Sequence, residues 1–293
     1  MRRYLIISGA WLALGLTLAA DDWPDIRSIE PDLAVPPVEL GAPAPGRRVY
    51  ATTRGWQDTA LFHTVYLPVN WQPGRRWPVI VEYPGNGSYR SRYGDVSDGS
   101  VEQCRIGYGV SAGRDYVWVA LPVVGVTEAG RGNRAVWWGD ADETAAYCVE
   151  TVREVCRNYG GDPAAVVLAG FSRGSIAAHV IGLRNDTIAG LWCAFICHSH
   201  YDGVNAAWPY EDADRVSALV RLQRLKGRPQ FISHEGSADA IRAYLQEVDV
   251  PGDFTIVDFP FRNHTDLWSV RDTALRRDLR AWLRRIGLPA PGR

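Results

Sequence analysis

The chain has 293 residues, 46% of them hydrophobic, which suits one large folded domain or two small ones. Its 32 basic and 33 acidic side chains leave a formal charge of −1, and no basic stripe runs along the sequence. This balance gives nucleic-acid binding no electrostatic support, so we expect no nucleic-acid partner.

The first twenty residues have the pattern of a secretory signal peptide. Arg2 and Arg3 form a positive start, residues 5–18 are mostly apolar, and Ala19 and Ala20 supply the small side chains of a cleavage zone. The apolar stretch is short for a membrane span, although an uncleaved N-terminal anchor stays open as an alternative. We therefore expect residues 1–20 to be a signal peptide, the protein to be periplasmic or secreted, and no stable membrane span to remain after cleavage.

The rest of the chain divides into a proline-rich segment and one domain of alternating strands and helices. Residues 21–48 are rich in proline and charge, which predicts an extended linker or a strap along the domain surface. The alternation over residues 49–293 predicts an α/β fold, with a mostly parallel central sheet and helices on both faces. The predicted strands are 59–69, 78–83, 116–124, 164–169, 191–197, 229–233 and 254–259, and the predicted helices are 142–159, 175–180, 216–225, 238–248 and 269–286.

The five cysteines do not define a disulfide framework or a metal site. An odd number leaves at least one thiol unpaired in an exported protein, and the spacing does not select a pairing. No CxxC or Cys/His spacing indicates zinc.

The pentad Gly170-Phe171-Ser172-Arg173-Gly174 carries the strongest chemical signal. It matches G-x-S-x-G between a predicted strand and a predicted helix, which is the context of a nucleophile elbow. A sharp turn there exposes the hydroxyl of Ser172 above the sheet and places it at the positive end of the helix. The pattern therefore predicts that Ser172 is a nucleophile.

A serine nucleophile needs a base and an acid that orients the base, and both follow predicted strands. The sequence indicates His264, after the last strand, as the base and Asp239 as the acid. Glu235 lies nearer the strand end, so whether it replaces Asp239 stays open. Asp202 and Asp266 are weaker candidates for the acid.

With these motifs the chain resembles the α/β-hydrolase-fold serine hydrolases over about residues 50–288. It is close in character to their exported esterases and depolymerase-like members and to the prolyl-oligopeptidase-like peptidases. The resemblance implies an acyl-enzyme, no cofactor and no metal. It also implies an oxyanion hole made by the N–H groups of Arg173 and of Asn86, which lies in the loop after an early strand.

The resemblance leaves the substrate open. We expect a carboxylic ester, either a small molecule or a group linked to a carbohydrate or plant polymer, and a peptide bond is the alternative. Loops that follow strand ends contribute aromatic and imidazole groups to the predicted pocket. The predicted substrate-binding residues are Tyr89, Trp138, His198, His200 and Tyr201.

Two other functions compete with this interpretation. His198-Ser199-His200-Tyr201-Asp202 matches H-x-H-x-D and resembles the dinuclear zinc loop of metallo-β-lactamase-fold hydrolases. In that family a further histidine normally follows, and here Gly203 occupies its place. The third hypothesis is a binding module without catalysis on a hydrolase scaffold.

Overall fold

A computed structural model of the protein describes residues 23–291, so the predicted signal peptide lies outside the described residues. The strands are β1 (Val38–Glu39), β2 (Arg48–Ala51), β3 (His63–Tyr66), β4 (Trp77–Tyr83), β5 (Tyr89–Arg90), β6 (Val96–Ser97), β7 (Val117–Ala120), β8 (Val123–Thr127), β9 (Gly130–Arg134), β10 (Gly161–Phe171), β11 (Ala194–His198), β12 (Pro229–Glu235) and β13 (Asp253–Phe259). The α-helices are α1 (Ile106–Ser111), α2 (Ala141–Tyr159), α3 (Arg173–Val180), α4 (Asp186–Ala189), α5 (Arg215–Leu222), α6 (Asp239–Val248) and α7 (Ala274–Arg285).

One nine-stranded sheet organises the domain, in the order β1-β2-β3-β7-β4-β10-β11-β12-β13. From β7 to β13 every neighbouring pair is parallel, whereas β3 is antiparallel to both β2 and β7. The predicted mostly parallel sheet is therefore confirmed. All the strands between β7 and β13 end at one edge, where side chains from strands distant in sequence can meet.

The sheet is covered on both faces, because its central strands are apolar on both sides. In β4, Val79 and Val81 pack into one core cluster and Ile80 packs into the other, and all three are fully buried. Helices α2 to α6 cover the first face, and α1 and α7 cover the second. The two-faced packing explains why these strands are continuous hydrophobic runs in the sequence.

Several boundaries differ from the sequence prediction. The predicted strand 116–124 is divided: β7 ends at Ala120, and β8 then pairs with β9 in a separate hairpin. The predicted helix 269–286 begins later, because a 3-10 helix, Leu267–Val270, precedes α7 and the side chain of Thr273 caps α7. β12 extends two residues beyond its predicted end at 233, to Glu235.

The segment before β1 contacts the domain closely. A 3-10 helix, Ile26–Ser28, buries the side chain of Ile26 completely, and Pro31 forms an isolated bridge with Arg271. All five cysteines of the chain are free thiols. No helix within residues 23–291 is long and apolar enough to cross a membrane.

Trp282 on α7 offers a test of the core cluster on the sheet face that α1 and α7 cover. Its indole is fully buried and packs on Phe231 of β12, with 5.7 Å between ring centroids. We expect Trp282→Ala to lower the free energy of unfolding by about 3–5 kcal/mol, because a large cavity replaces the ring. Chemical denaturation of the purified protein measures this change.

Leu40→Ala is the matched control, because that side chain is 84% exposed. Its unfolding free energy should change by less than about 0.5 kcal/mol. An equal loss in both variants would contradict the assignment of Trp282 to a packed core.

Candidate active site

The turn at Ser172 is strained and sterically crowded. β10 ends at Phe171 and α3 begins at Arg173, so Ser172 alone joins them, with φ 55° and ψ −116°. A Cβ on Gly170 would lie 2.1 Å from the backbone of Gly174, and a Cβ on Gly174 would lie 2.0 Å from the Tyr83 carbonyl oxygen. Only glycine fits at these two positions, which explains the spacing of the G-x-S-x-G pattern in physical terms.

Ser172 and His264 are in direct contact, as predicted from the sequence. The hydroxyl of Ser172 lies 2.9 Å from Nε2 of His264, within hydrogen-bonding distance. The backbone N–H of Ser172 donates to the carbonyl of His198, at 2.9 Å, which ties the turn to the end of β11. His264 follows β13, which lies on the far side of β12 from β11, so groups from three strands of the sheet build this contact.

The acid beside His264 is Glu235, and the prediction of Asp239 is wrong on geometry. Nδ1 of His264 donates to Oε1 of Glu235 at 2.5 Å. Because β12 continues to Glu235, its last residue pairs in register with Phe259 at the end of β13. Asp239 comes after the following turn, at the start of α6, where it is 83% exposed and pairs with Arg242 at 3.0 Å.

The two weaker candidates for the acid are also engaged elsewhere. Asp202 is buried and accepts two hydrogen bonds from the guanidinium of Arg221, at 2.7 and 3.1 Å. Asp266 is buried and forms an ion pair with Arg105 at 3.0 Å. Neither carboxylate forms a hydrogen bond or a close ion pair with His264 within the described residues.

The surroundings of Glu235 keep its carboxylate ionised, and burial keeps the imidazoles of His198 and His200 neutral. Burial alone would raise the pKa of Glu235, but the charge and hydrogen bond of His264 and the charge of His234 outweigh it, and the pKa lies well below its usual range. Burial lowers the pKa of His198 to about 3 and that of His200 to about 4. At neutral pH, Glu235 is therefore ionised and both of these histidines are uncharged.

The two predicted oxyanion donors, Arg173 and Asn86, lie on segments that pack at the turn of Ser172. Arg173 is the first residue of α3, where a backbone N–H has no partner within the helix. The loop that contains Asn86 follows β4 and packs on the same turn, since a Cβ on Gly174 would lie 3.0 Å from the Pro84 carbonyl. The side chain of Asn86 is used differently: its Oδ1 accepts the N–H of Trp137 at 2.6 Å.

The guanidinium of Arg173 holds two loops against the elbow. It is 1% exposed and donates to the carbonyls of Ala135 at 2.7 Å, Trp137 at 3.1 Å and Gly99 at 3.3 Å. Burial lowers the pKa of Arg173 to about 10, so the group is still a cation at neutral pH. A buried positive charge therefore joins the turn at Ser172 to these two loops.

Of the predicted substrate-binding residues, two are in contact with His264. The half-buried rings of Tyr89 and His200 each have their centroid 5.0 Å from that of His264. Trp138 is half-buried and packs edge-on against Tyr210, at 5.8 Å.

The other two predictions are wrong, because both side chains face the core. His198 is fully buried, between Ser233 Oγ at 2.8 Å and the Thr265 carbonyl at 3.2 Å. Tyr201 is 2% exposed and donates to Gln230 at 3.1 Å.

Sequence reasoning did not select Trp208, which extends the site, and of the pair Trp137-Trp138 it selected Trp138. The Trp208 ring lies 5.1 Å from His200 and 5.3 Å from Trp137, so a row of rings runs outward from His264. Trp137 has φ 49°, an uncommon conformation for a bulky residue, and strain of this kind concentrates at functional sites. The adjacent residues Trp137 and Trp138 indicated an aromatic surface in this loop, but the sequence did not show which of the two rings faces the cleft.

The zinc interpretation does not fit the side chains. His198 and Asp202 are engaged with protein partners, and the motif does not converge on one point. Within residues 23–291, no group of three or more His, Cys, Asp or Glu side chains is arranged to hold a metal ion.

Comparisons with known proteins show similarity in structure only. No protein-family model matches the sequence, and a search of curated proteins finds no significant match. Thermogutta terrifontis esterase 2, solved after phosphorylation by paraoxon, superposes with a TM-score of 0.57 at 19% identity, over 87% of this chain and 100% of that chain. A fungal esterase from Rhizomucor miehei gives a TM-score of 0.55 at 14% identity, over 82% of this chain and 83% of that chain.

A peptidase is also similar. Porphyromonas gingivalis dipeptidyl peptidase 4 gives a TM-score of 0.51 at 14% identity, over 83% of this chain but 35% of that chain. The present chain thus spans about a third of the length of the dipeptidyl peptidases that it matches. The sheet order, the turn at Ser172 and these superpositions together show that the chain has the α/β-hydrolase fold.

Proposed function

We propose that the protein is a serine hydrolase that cleaves a carboxylic ester through an acyl-enzyme. The observation that carries the proposal is the continuous chain of two hydrogen bonds from Ser172 to His264 and from His264 to Glu235. A hydroxyl, an imidazole and a carboxylate in this order are the groups that nucleophilic acyl transfer requires.

The proposed reaction proceeds in two halves. His264 accepts the proton of Ser172 as the oxygen attacks the ester carbonyl, and the N–H groups of Arg173 and Asn86 stabilise the oxyanion. The imidazolium then protonates the leaving alcohol, and an acyl-serine remains. Water, deprotonated by His264, releases the acid and restores Ser172. Throughout, Glu235 holds the imidazole in one tautomer and stabilises its positive charge.

For the substrate we favour an ester that carries a ring, such as one linked to a carbohydrate or plant polymer. The half-buried rings of His200, Trp208 and Trp137 extend from His264 toward solvent, and such surfaces bind flat faces of sugars or aryl groups. The predicted signal peptide is consistent with a polymer encountered outside the cell.

A serine peptidase of the prolyl-oligopeptidase-like type is the second candidate. The similarity to dipeptidyl peptidase 4 supports it, because the same three groups also cleave amides. Esterases match this chain along most or all of their own length, whereas the peptidases do not. We therefore place ester hydrolysis first.

Labelling of the nucleophile tests the proposal directly. A fluorophosphonate should modify the wild-type protein at Ser172, identified by peptide mapping, and Ser172→Ala should abolish the label. We expect that variant to lose at least about 10⁴-fold in kcat/KM on an activated ester, with its thermal unfolding little changed. Full turnover by Ser172→Ala would exclude the mechanism.

Two substitutions separate the acid from its neighbour on α6. Glu235→Gln should lower kcat about 100-fold or more, because the imidazole loses the anion that fixes its tautomer. Steady-state rates of the two proteins on the same activated ester measure this loss.

Asp239→Asn is the control, because it changes a carboxylate that is 83% exposed and only a turn away. Its kcat should stay within about twofold of wild type, as for a surface substitution. A larger loss in Asp239→Asn than in Glu235→Gln would restore the acid predicted from the sequence.

A substrate panel tests both the preference for esters and the role of the Trp208 ring in substrate binding. Acetyl, feruloyl and p-nitrophenyl esters should be cleaved faster than matched amides. Trp208→Ala should raise KM for the feruloyl ester about tenfold more than for the acetyl ester, because stacking on a ring contributes about 1–1.5 kcal/mol. Faster cleavage of amides would favour the peptidase. Equal KM changes for the feruloyl and acetyl esters would show that Trp208 does not bind a ring of the substrate.

A further inference from the structure

We propose that Asp95 and Asn263, together with residues 24–26, form a clamp that positions His264. The inference rests on the proposed function, and it concerns groups that touch neither Ser172 nor Glu235. We call this set the histidine clamp. It links the segment before β1, the β5–β6 hairpin and the loop after β13.

Asp95 holds the backbone of His264 and the side chain before it. One carboxylate oxygen accepts the N–H of His264 at 3.2 Å, and the other accepts from Nδ2 of Asn263 at 2.9 Å. Asp95 is 4% exposed and Asn263 is fully buried. Hydrogen bonds to a buried carboxylate are strong, so they fix where the histidine leaves the loop.

The other face of the loop is held by the N-terminal segment. Oδ1 of Asn263 accepts the N–H of Ile26 at 2.8 Å, and Ile26 is itself fully buried. The backbone N–H of Arg262 donates to the Pro24 carbonyl at 3.2 Å, and its guanidinium donates to Asp25, also at 3.2 Å. Residues 24–26 therefore run beside residues 262–264 and contact each of the two residues that precede His264.

Asp95 is anchored in its own hairpin. Ser91 Oγ donates to its carboxylate at 2.8 Å and accepts its N–H at 3.0 Å. The same hairpin carries Tyr89, whose ring packs on His264 at 5.0 Å. The hairpin thus holds the histidine both through its backbone and through its ring.

The histidine needs such support because it lies on irregular backbone. No strand ladder or helix fixes His264, which lies between β13 and the 3-10 helix Leu267–Val270. Its ring must nevertheless meet Ser172 at 2.9 Å and Glu235 at 2.5 Å at the same time. A displacement of about 1 Å can cost about 10²-fold in rate, so contacts that set the backbone position act on catalysis through His264.

The experiment replaces each half of the clamp in the full-length protein. Asp95→Asn keeps the size of the side chain but replaces a carboxylate that accepts from three donors with an amide. Asn263→Ala removes the link to Ile26. We expect each variant to lose at least tenfold in kcat on p-nitrophenyl acetate while KM stays within twofold. The rates are divided by the concentration of active sites titrated with a fluorophosphonate, so that unfolded protein does not lower the measured kcat.

Asp32→Asn is the matched control. Asp32 lies in the same N-terminal segment and pairs with the buried guanidinium of Arg276 on α7, at 2.7 Å, away from the histidine. This variant should unfold at a lower temperature and keep the wild-type kcat per titrated site. If it loses as much kcat per site as Asp95→Asn, or if neither clamp variant loses any, the clamp is wrong and the contacts serve stability alone.

A spectroscopic measurement separates the clamp from the proposed function. The proton between His264 and Glu235 should give a low-field NMR signal that is absent in His264→Ala. It should shift or broaden in Asp95→Asn and stay unchanged in Asp32→Asn. If the wild type fails to label at Ser172 but this signal responds, the hydrolase proposal fails and the clamp stands. If Ser172 is labelled but the signal is unchanged in Asp95→Asn, the clamp is wrong and the hydrolase proposal stands.

Discussion

The conformation of Ser172 is the constraint on which the site depends. A residue with φ 55° and ψ −116° between a strand and a helix is stable only if its surroundings enforce it. Gly170 and Gly174 allow the helix, the strand and the Tyr83 carbonyl to approach within distances that no side chain permits. This close approach sets the direction of the Ser172 side chain and lets α3 begin at the next residue, Arg173. The other groups of the site are arranged around that fixed point.

Parallel pairing supplies those groups. β11, β12 and β13 lie next to β10 in that order, and each ends at the same edge of the sheet. β11 provides the carbonyl that accepts the N–H of Ser172, β12 ends in Glu235, and the chain after β13 carries His264. The groups are distant in sequence, yet the pairing of neighbouring strands is enough to bring them together. The same edge receives the loop after β4, which adds Asn86.

The sequence was sufficient where the signal was local or periodic. It predicted the parallel sheet, most of the helices and the pairing of Ser172 with His264, because turn chemistry and hydrophobic runs are properties of neighbouring residues. It placed the acid wrongly because strand ends are uncertain by a few residues, and here two residues decide between Glu235 and Asp239. His198 was misplaced for a related reason: it is the last residue of β11, inside the sheet and not in the loop beyond it. The row of rings joins Trp137, in the loop after β9, to Trp208 and His200, in the loop after β11, and no local pattern encodes the meeting of these loops.

The N-terminal segment shows most clearly what composition cannot reveal. Proline and charge predicted a linker or strap, but a hydrogen bond between Ile26 and Asn263 joins positions 237 residues apart. Such a contact costs more chain entropy than a local one, so it persists only if burial and further hydrogen bonds offset that cost. Ile26 supplies the burial, and Asp95 completes the hydrogen bonding of Asn263. The strands fix Ser172 and Glu235 but leave His264 on a loop. The least constrained member of the site is therefore the one held by contacts from the N-terminal segment and from the β5–β6 hairpin.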